Sequence, residues 1–345
     1  MEIIPPREKF YNIFPLFHKH IFSGISFNSK RKKTEDNMKN TYKPEGLKFM
    51  SAENREYLYS SVSLEKAMIG GKILEAPATM CDSEMALTVD LGVMEGVIEK
   101  DESALSDGEI KDIAVITRVG KPVCFKIMSI ENLHGAPVAF LSRRAAQREC
   151  MENYVSTLLP GDIIDAKVTH LEPFGAFVDI GCGIVSLMSI DSISVSRISH
   201  PKDRFRTGMF IKAVVKNTDE STGRLYVSHK ELLGTWKENV AEFKIGQTVA
   251  GTVRSIEPYG IFVELTPNLA GLAEYRDDIS VGERAAVYIK NIIPEKMKVK
   301  LVIVDSQSDE PPVQQMNYFE TGTHISEWVY SPEECPKVIK TVFDT

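Results

Sequence analysis

One phrase of the sequence occurs twice, and this repeat limits the folds that the chain can adopt. The first copy, EPFGAFVDIG, spans residues 172–181, and the second copy, EPYGIFVEL, spans residues 257–265. The copies lie 85 residues apart, and each follows a glycine, Gly161 or Gly246, that opens an alternating run. A repeat at this spacing indicates separate small domains rather than one large core.

The strand pattern divides the chain into three β-rich blocks. Each block begins with a glycine and an alternating strand, and about five short strands per block are typical of a small closed barrel. Helical patterns separate the blocks, and Ser142 is the predicted N-cap of the first connector. In chain order we predict a disordered basic extension at 1–50, a short helix at 51–68, a degenerate barrel at 69–141, a helical linker at 142–157, a second barrel at 158–230, a helical linker at 231–243, a third barrel at 244–305 and an acidic tail with aromatic residues at 306–345.

Charge is distributed unevenly along the chain. The formal net charge is −7, yet the first 40 residues carry 8 Lys/Arg against 4 Asp/Glu, and residues 306–345 carry 2 against 7. Any attraction for phosphate must therefore come from local patches rather than from the overall field. Residues 1–37 are either a disordered extension or an over-extended start with Met38 as the initiator, and the sequence is compatible with both.

Cysteine usage and hydropathy predict a cytoplasmic protein. Scattered cysteines without a CxxC pair indicate reduced thiols rather than disulfides or a zinc site. No run reaches the ~18 apolar residues that span a membrane. We therefore expect no membrane contact, no metal and no cofactor. The five cysteines are Cys81, Cys124, Cys150, Cys182 and Cys335.

The repeated phrase places two aromatic rings at a turn and on the strand that leaves it. Alternation predicts that Val178 and Ile180 point into the barrel, whereas Phe177 and Asp179 point outward. Gly175 allows the tight turn that brings Phe174 beside Phe177. An exposed pair of rings stacks unpaired bases, at about 1–3 kcal/mol per base, and single-stranded RNA offers such bases.

The third block repeats the pair with Tyr259 and Phe262. In both blocks the alternative is that the rings pack in the core or at the rim of the barrel. Near the pairs, His170 and Arg254 either contact phosphate or are ordinary solvent-facing strand residues.

A basic stretch precedes the fourth strand of the second block. We expect it to follow a phosphate backbone and to make binding dependent on salt. The alternative is a solvated face of the loop. Its members are Arg197, His200, Lys202, Arg204 and Arg206, followed by Lys212 on the strand.

At these residues the chain resembles the S1-type RNA-binding domain, an OB-fold variant. The best match is the bacterial ribosomal protein S1 family in a short multi-domain form, over about residues 67–305. The EPFGAFVDIG phrase followed by residues 186–190 carries the resemblance, EPYGIFVEL is a second copy, and residues 90–98 look like a weaker third. The resemblance implies three five-stranded OB-fold (S1-type) barrels in series, joined by short helical connectors.

The resemblance also implies particular contacts. Asp219 and Arg224 match the Asp and Arg with which the family contacts RNA; the alternative for Arg224 is an exposed turn residue. In the third block Ile293 and Lys298 occupy these two positions, and we include Lys298 among the candidate RNA-binding residues. The family's usual histidine corresponds to Ser189 in the second block and to Glu274 in the third.

These departures predict different roles for the three blocks. Glu264 and Glu274 place negative charge on the expected face of the third block, so we expect it to bind RNA more weakly or to contact protein. The first block has Met85 and Thr88 in place of the aromatic pair, so it lacks a stacking platform. The resemblance implies that such a degenerate leading domain serves docking rather than RNA capture. The second block is the predicted main RNA site.

The favoured function is binding of single-stranded RNA, mRNA above all, in translation, with the small ribosomal subunit as a further candidate partner. The alternative is a protein-interaction scaffold or an accessory factor of RNA degradation, which uses S1-type domains to recruit a ribonuclease or a ribosome. The sequence has no Gly-rich phosphate loop, HExxH motif or Ser/His/Asp arrangement, so we predict no catalytic residue and no enzyme activity. We see no dimerisation seam and expect a monomer.

Overall fold

The structure, a computed structural model, describes residues 42–106, 108–133, 135–219, 223–308 and 316–343. The described chain is mainly β, as predicted, and three five-stranded sheets each close into a barrel. That the barrels stand in series stays a prediction, as do the predicted domain boundaries. Among the described residues every helix is too short or too polar to cross a lipid bilayer.

The first barrel is preceded by helices α1 (Ala52–Leu58) and α2 (Ser61–Ile69). Its strands are β1 (Leu74–Cys81), β2 (Leu87–Asp90), β3 (Glu95–Ile98), β4 (Pro122–Leu133) and β5 (Ala136–Ser142), with helix α3 (Asp112–Ile116) before β4. Helix α4 (Arg143–Asn153) and a short 3-10 segment, Val155–Thr157, follow.

The second barrel consists of β6 (Ile163–Glu172), β7 (Gly175–Asp179), β8 (Val185–Ser189), β9 (Phe210–Asp219) and β10 (Arg224–Ser228). A 3-10 segment, Lys230–Leu233, and helix α5 (Trp236–Val240) lead to the third barrel. Its strands are β11 (Thr248–Glu257), β12 (Gly260–Thr266), β13 (Leu269–Ala273), β14 (Arg284–Ile293) and β15 (Lys298–Gln307), and β16 (Glu327–Val329) pairs with β17 (Lys340–Val342) in the tail.

All three barrels have the same cyclic order of strands. The first three strands form a meander, and the fifth strand lies between the third and the fourth. The fifth strand therefore pairs in parallel with the third, as in Leu187↔Tyr226 of barrel 2 and Leu272↔Lys300 of barrel 3. This shared topology allows positions in barrels 2 and 3 to be matched strand by strand.

The region before barrel 1 differs from the predictions in two ways. Of the predicted disordered extension, residues 1–41 lie outside the described residues, but Tyr42 and Glu45 are buried. The single helix predicted at 51–68 is two helices, because the Ser60 side chain accepts a bond from the Ser63 amide and caps a new helix. In the first linker, Ser142 caps α4 by accepting from the Ala145 amide, which confirms the predicted N-cap.

The chain divides into two compact units. Among the described residues, the first unit comprises those up to Leu158 with Asp179–Val185 and Asp219–Arg224. The second unit comprises Leu159–Val178, Ser186–Thr218 and the described residues from Leu225 onward. In the first unit, the core is formed by barrel 1 and α2. In the second unit, one core joins side chains of barrels 2 and 3 with residues of the tail.

The tail packs in the second unit, and its residues Trp328 and Tyr330 are buried there. A main-chain hydrogen bond joins the tail to barrel 2. The Ile163 amide donates to the carbonyl of Thr323 at 2.9 Å. The Tyr330 hydroxyl donates to the carbonyl of Asn268 in barrel 3. The second unit is therefore tied together by its C-terminal end as well as by the connector between its barrels.

Candidate nucleic-acid interface

The aromatic pair of barrel 2 lies on the outer surface. Phe174 is 54% exposed in the turn before β7, and Phe177 is half-buried on that strand. The ring centroids are 6.0 Å apart and the planes meet at 89°, an edge-to-face contact. A Cβ on Gly175 would lie 2.3 Å from the carbonyl oxygen of Met188, so the turn requires glycine. The two rings are adjacent, as predicted, and Phe174 does not pack in the core; the stacking of bases on them stays a prediction.

His170 lies beside this pair. Its ring centroid is 6.3 Å from that of Phe177, with 31° between the planes. The Nε2 atom is 2.6 Å from Oε1 of Glu172, so the exposed imidazole has a carboxylate partner within its own strand. The structure therefore brings His170 to the aromatic pair.

Barrel 3 repeats the arrangement. Tyr259 is 68% exposed, and its ring meets that of Phe262 at 6.1 Å and 87°. Gly260 has a φ of 146°, and a Cβ there would lie 2.4 Å from the carbonyl oxygen of Ala273. The same turn chemistry thus produces the same pair of rings.

Strand register identifies a neighbour of the ring in barrel 3 that sequence reasoning missed. Phe262 pairs with Leu272, Leu272 pairs with Lys300, and Lys300 pairs with Asn291. These four residues form one row across β12, β13, β15 and β14. The predicted residue, Lys298, is exposed but two positions away, at the start of β15. The strand register, which cannot be read from the sequence, is needed to distinguish Lys300 from Lys298.

Barrel 2 has the corresponding row. Leu187 follows Phe177 by ten positions, as Leu272 follows Phe262, and Leu187 pairs with Tyr226. Tyr226 thus occupies the position of Lys300 in barrel 3. Sequence reasoning also missed this residue, although an aromatic between the inward-facing Leu225 and Val227 was a detectable signal.

The basic stretch of barrel 2 is only partly on the surface. Arg197, Lys202 and Arg206 are exposed, so they remain candidate phosphate contacts. His200 has a structural role, because its Nδ1 accepts a hydrogen bond from the Lys202 amide at 3.1 Å and caps the 3-10 segment Pro201–Asp203. Arg204 is a correction: it is 3% exposed and its guanidinium donates to Glu264 of barrel 3. A buried, paired guanidinium cannot follow a phosphate backbone.

Arg254 and Glu264 are also placed differently from the prediction. Arg254 donates Nε and Nη2 to the two carboxylate oxygens of Glu264, at 3.0 and 3.2 Å, and its Nη1 lies 3.3 Å from Asp203. Glu264 is buried between Arg204 and Arg254, so it does not charge the outer face of barrel 3. Arg254 is an ion-paired residue of the contact between barrels 2 and 3, not a solvent-facing one. Glu274 is exposed, as predicted.

Asp179 is buried, although alternation predicted an outward position. Its carboxylate accepts from the amides of Glu45, Gly181 and Gly183 at 2.7, 2.8 and 3.0 Å. Burial, together with the charge of Glu45, raises the pKa of Asp179 to about 6. Three backbone amides satisfy the carboxylate and stabilise the turn after β7. These hydrogen bonds outweigh the outward position that strand alternation alone would favour.

Asp219 and Arg224 stand at the ends of the last hairpin of barrel 2. Asp219 ends β9 and Arg224 begins β10; both are half-buried, and the Gly223 amide donates to the Asp219 carbonyl at 2.7 Å. Their contact with RNA, implied by the family resemblance, stays a prediction.

Histidine 229, just after β10, is a buried packing residue. Its Nδ1 lies 3.1 Å from the Ile193 carbonyl, and its Nε2 lies 3.3 Å from the hydroxyl of Tyr318. Burial lowers the pKa of His229 to about 4. The imidazole is therefore neutral near pH 7.

Barrel 1 differs from the other two at the ring positions. Met85 lies in a left-handed turn, with φ of 64°, and Thr88 is half-buried on β2 opposite Val97. Across the described part of the chain, no three His, Cys, Asp or Glu side chains are grouped so that they could hold a metal ion.

The sequence profile of the S1 RNA binding domain matches residues 158–230, the segment that contains barrel 2 and its aromatic pair. The chain therefore contains an S1 RNA binding domain at residues 158–230. Its similarity to curated proteins extends beyond this domain.

One such relative is the small ribosomal subunit protein bS1 of Staphylococcus aureus (strain COL), 27% identical over 285 residues, which cover 78% of this chain and 71% of the relative. Another is the bS1 protein of Rickettsia conorii, 27% identical over 217 residues, which cover 58% of this chain and 37% of that protein. A multidomain protein with nucleic acid binding domains from Streptococcus pneumoniae is similar in structure at 13% identity, covering 68% of this chain and 74% of that one, with a TM-score of 0.24. This TM-score is too low to compare the architecture of the whole chain.

Proposed function

We propose that this protein binds single-stranded RNA through barrel 2 and acts on mRNA in translation, in association with the small ribosomal subunit in the cytoplasm. The observation that carries the proposal is the edge-to-face pair of Phe174 and Phe177 on the outer surface. The match of this segment to the S1 RNA binding domain supports it. The relatives named as small ribosomal subunit proteins support the place in translation.

The physical basis is base stacking on the ring pair, assisted by positive charge on the same barrel. A base stacked on an exposed ring contributes about 1–3 kcal/mol, with little preference for sequence. Arg197, Lys202 and Arg206 are exposed on the loop before β9 and supply positive charge for the backbone. Binding should therefore weaken as salt rises, because neutralised phosphates release counterions.

Barrel 3 supplies a second platform, Tyr259 with Phe262. Two weak sites on one chain bind a long strand more tightly than either alone, because the second site meets its ligand at high effective concentration. Lys212, which the basic stretch includes, is paired with Asp165 at 2.5 Å and contributes less free charge. We propose no catalytic role for the protein, so RNA incubated with it should stay intact.

The test is a filter-binding titration of the full chain with an unstructured oligouridine. Replacing Phe174 and Phe177 together by alanine should weaken binding at least about tenfold, since the base loses its stacking partners. The matched control is Phe210→Ala, which removes an exposed ring of the same barrel that lies under Lys167 and outside the pair. Replacing Tyr259 and Phe262 should weaken binding less. Unchanged affinity of the folded Phe174/Phe177 variant would exclude stacking on this pair.

The association with ribosomes is tested by sedimentation. If RNA carries the association, the protein should leave the ribosomal fraction after treatment with ribonuclease. Persistent co-sedimentation would instead favour a protein-interaction scaffold that recruits the ribosome by direct contacts.

A further inference from the structure

We propose that Tyr226 forms a second base-stacking site on barrel 2, which takes the nucleotide next to those held by the Phe174–Phe177 pair. The proposal rests on the RNA binding proposed above and deepens it. Tyr226 lies outside the repeated phrase, so its contact with a base would be additional to that of the Phe174–Phe177 pair.

The first step is the position of Tyr226 in the sheet. It pairs in parallel with Leu187 of β8, and β8 lies directly beside β7, which carries Phe177. In barrel 3 the printed register joins Phe262, Leu272 and Lys300 in one row. The equal spacing of ten residues from ring to leucine in both barrels places Phe177, Leu187 and Tyr226 in the matching row of barrel 2.

The second step is the direction of the ring. Leu225 and Val227, on either side, are buried at 7% and 1% exposure and belong to the inner side of the strand. Successive side chains of a strand point to opposite faces, so Tyr226 lies on the outer face. Leu187 is likewise half-buried between the buried Ser186 and Met188, and it offers an apolar floor between the two rings.

The third step is spacing. Phe177 and Tyr226 are two strands apart, and neighbouring strands lie about 4.8 Å apart, which separates their backbones by roughly 10 Å. Atoms in stacking contact lie about 3.5–4 Å apart. A base stacked flat on one ring therefore leaves the other ring, two strands away, free for the neighbouring base.

The corresponding position of barrel 3 carries an ammonium rather than a ring. Lys300 is exposed beside Leu272 and suits a phosphate, whereas Tyr226 suits the face of a base. Barrel 2 would therefore use this position to stack a base, whereas barrel 3 would use it to bind a phosphate.

The experiment compares Tyr226→Ala, Tyr226→Phe and Phe210→Ala in the full chain, with oligouridines of about four and about twelve nucleotides, a range of OB-fold site sizes. Tyr226→Ala should weaken binding of the longer oligonucleotide about five- to tenfold and that of the shorter one less, whereas Tyr226→Phe should bind like the unsubstituted protein. Phe210 begins β9 and its ring lies under Lys167, outside the row of Phe177, Leu187 and Tyr226, so its variant should not change affinity.

A spectroscopic measurement covers the case in which Tyr226→Ala does not fold. The chain has 11 tyrosines, and in fluorotyrosine-labelled protein the ¹⁹F resonance missing from Tyr226→Phe identifies Tyr226. This resonance should shift on addition of the longer oligonucleotide but not of duplex RNA.

Two outcomes would overturn the proposal and are distinguishable. If Tyr226→Ala binds normally and its resonance does not shift, while the Phe174/Phe177 variant loses binding, the Tyr226 site is wrong and the proposed function stands. If the Phe174/Phe177 variant also binds normally, both are wrong.

Discussion

In barrel 2 the rings of Phe174 and Phe177 meet at 6.0 Å and 89°, and in barrel 3 those of Tyr259 and Phe262 meet at 6.1 Å and 87°. Two positions after the second ring, each barrel has a carboxylate, Asp179 or Glu264. Both carboxylates are buried, but Asp179 binds backbone amides whereas Glu264 binds two arginines.

The rings are placed by local interactions, whereas the carboxylates also depend on distant ones. The rings are placed by a glycine turn and the strand that leaves it, so similar phrases yield similar pairs. The carboxylates also depend on residues far along the chain: Glu45 is 134 positions from Asp179, and Arg204 is 60 positions from Glu264. A buried carboxylate must find hydrogen-bond donors, and the surrounding fold decides which ones it finds.

The largest expected effect comes from removing the carboxylate of barrel 3. Glu264→Ala leaves Arg204 buried without its main partner, which should lower the free energy of unfolding by about 3–5 kcal/mol. Urea denaturation of the full chain measures this loss of stability. Glu274→Ala, which removes an exposed carboxylate 4.0 Å from Lys290, is the control and should change stability by about 0.5 kcal/mol or less. Equal effects of the two variants would contradict the importance of the buried pair.

A smaller effect is expected from the carboxylate of barrel 2. Asp179→Ala leaves buried amides without an acceptor, at a cost of about 1–3 kcal/mol in the free energy of unfolding. Asp179→Asn keeps one oxygen as an acceptor and should cost less than the alanine variant. Denaturation followed by circular dichroism measures both. If asparagine is as harmful as alanine, the amide bonds do not account for the buried position.

The last expected effect is absent at neutral pH and develops only on acidification, at His229 just after β10. His229 in barrel 2 corresponds to the buried Ile303 in barrel 3, three positions after Tyr226 and Lys300 respectively. Because the pKa of His229 is lowered to about 4 in the folded protein, the unfolded chain binds the proton first as the pH falls. The stability due to neutral His229 is complete above about pH 6.5 and is lost between pH 6.5 and 4.

Thermal unfolding between pH 7 and 4 tests this expectation. The melting temperature should fall with acidification less steeply in His229→Ile than in the unsubstituted protein. The control is His170→Ala, which removes an exposed histidine but keeps His229, so the acid-dependent fall due to His229 should remain. Identical slopes for all three proteins would show that His229 does not titrate in this range.

The two stacking pairs and the mainly β architecture were predictable from the sequence, because both depend on residues a few positions apart. Prediction failed for Arg204, Arg254, Asp179 and Glu264, all of which were expected on the surface. Alternation describes a side chain relative to its own strand, but not whether a neighbouring barrel or a distant segment covers that side. Tyr226 and Lys300 were missed for a related reason, since a parallel strand pair brings them to the row from outside the repeated phrase.

Local sequence is enough to specify which side chains alternate in each barrel and where glycine permits the turn that joins two rings. Long-range packing is needed to specify which charged groups face solvent and which form buried pairs. The reason is physical: strand alternation and turn geometry act over a few bonds, whereas burial of a charge depends on every segment that packs against it.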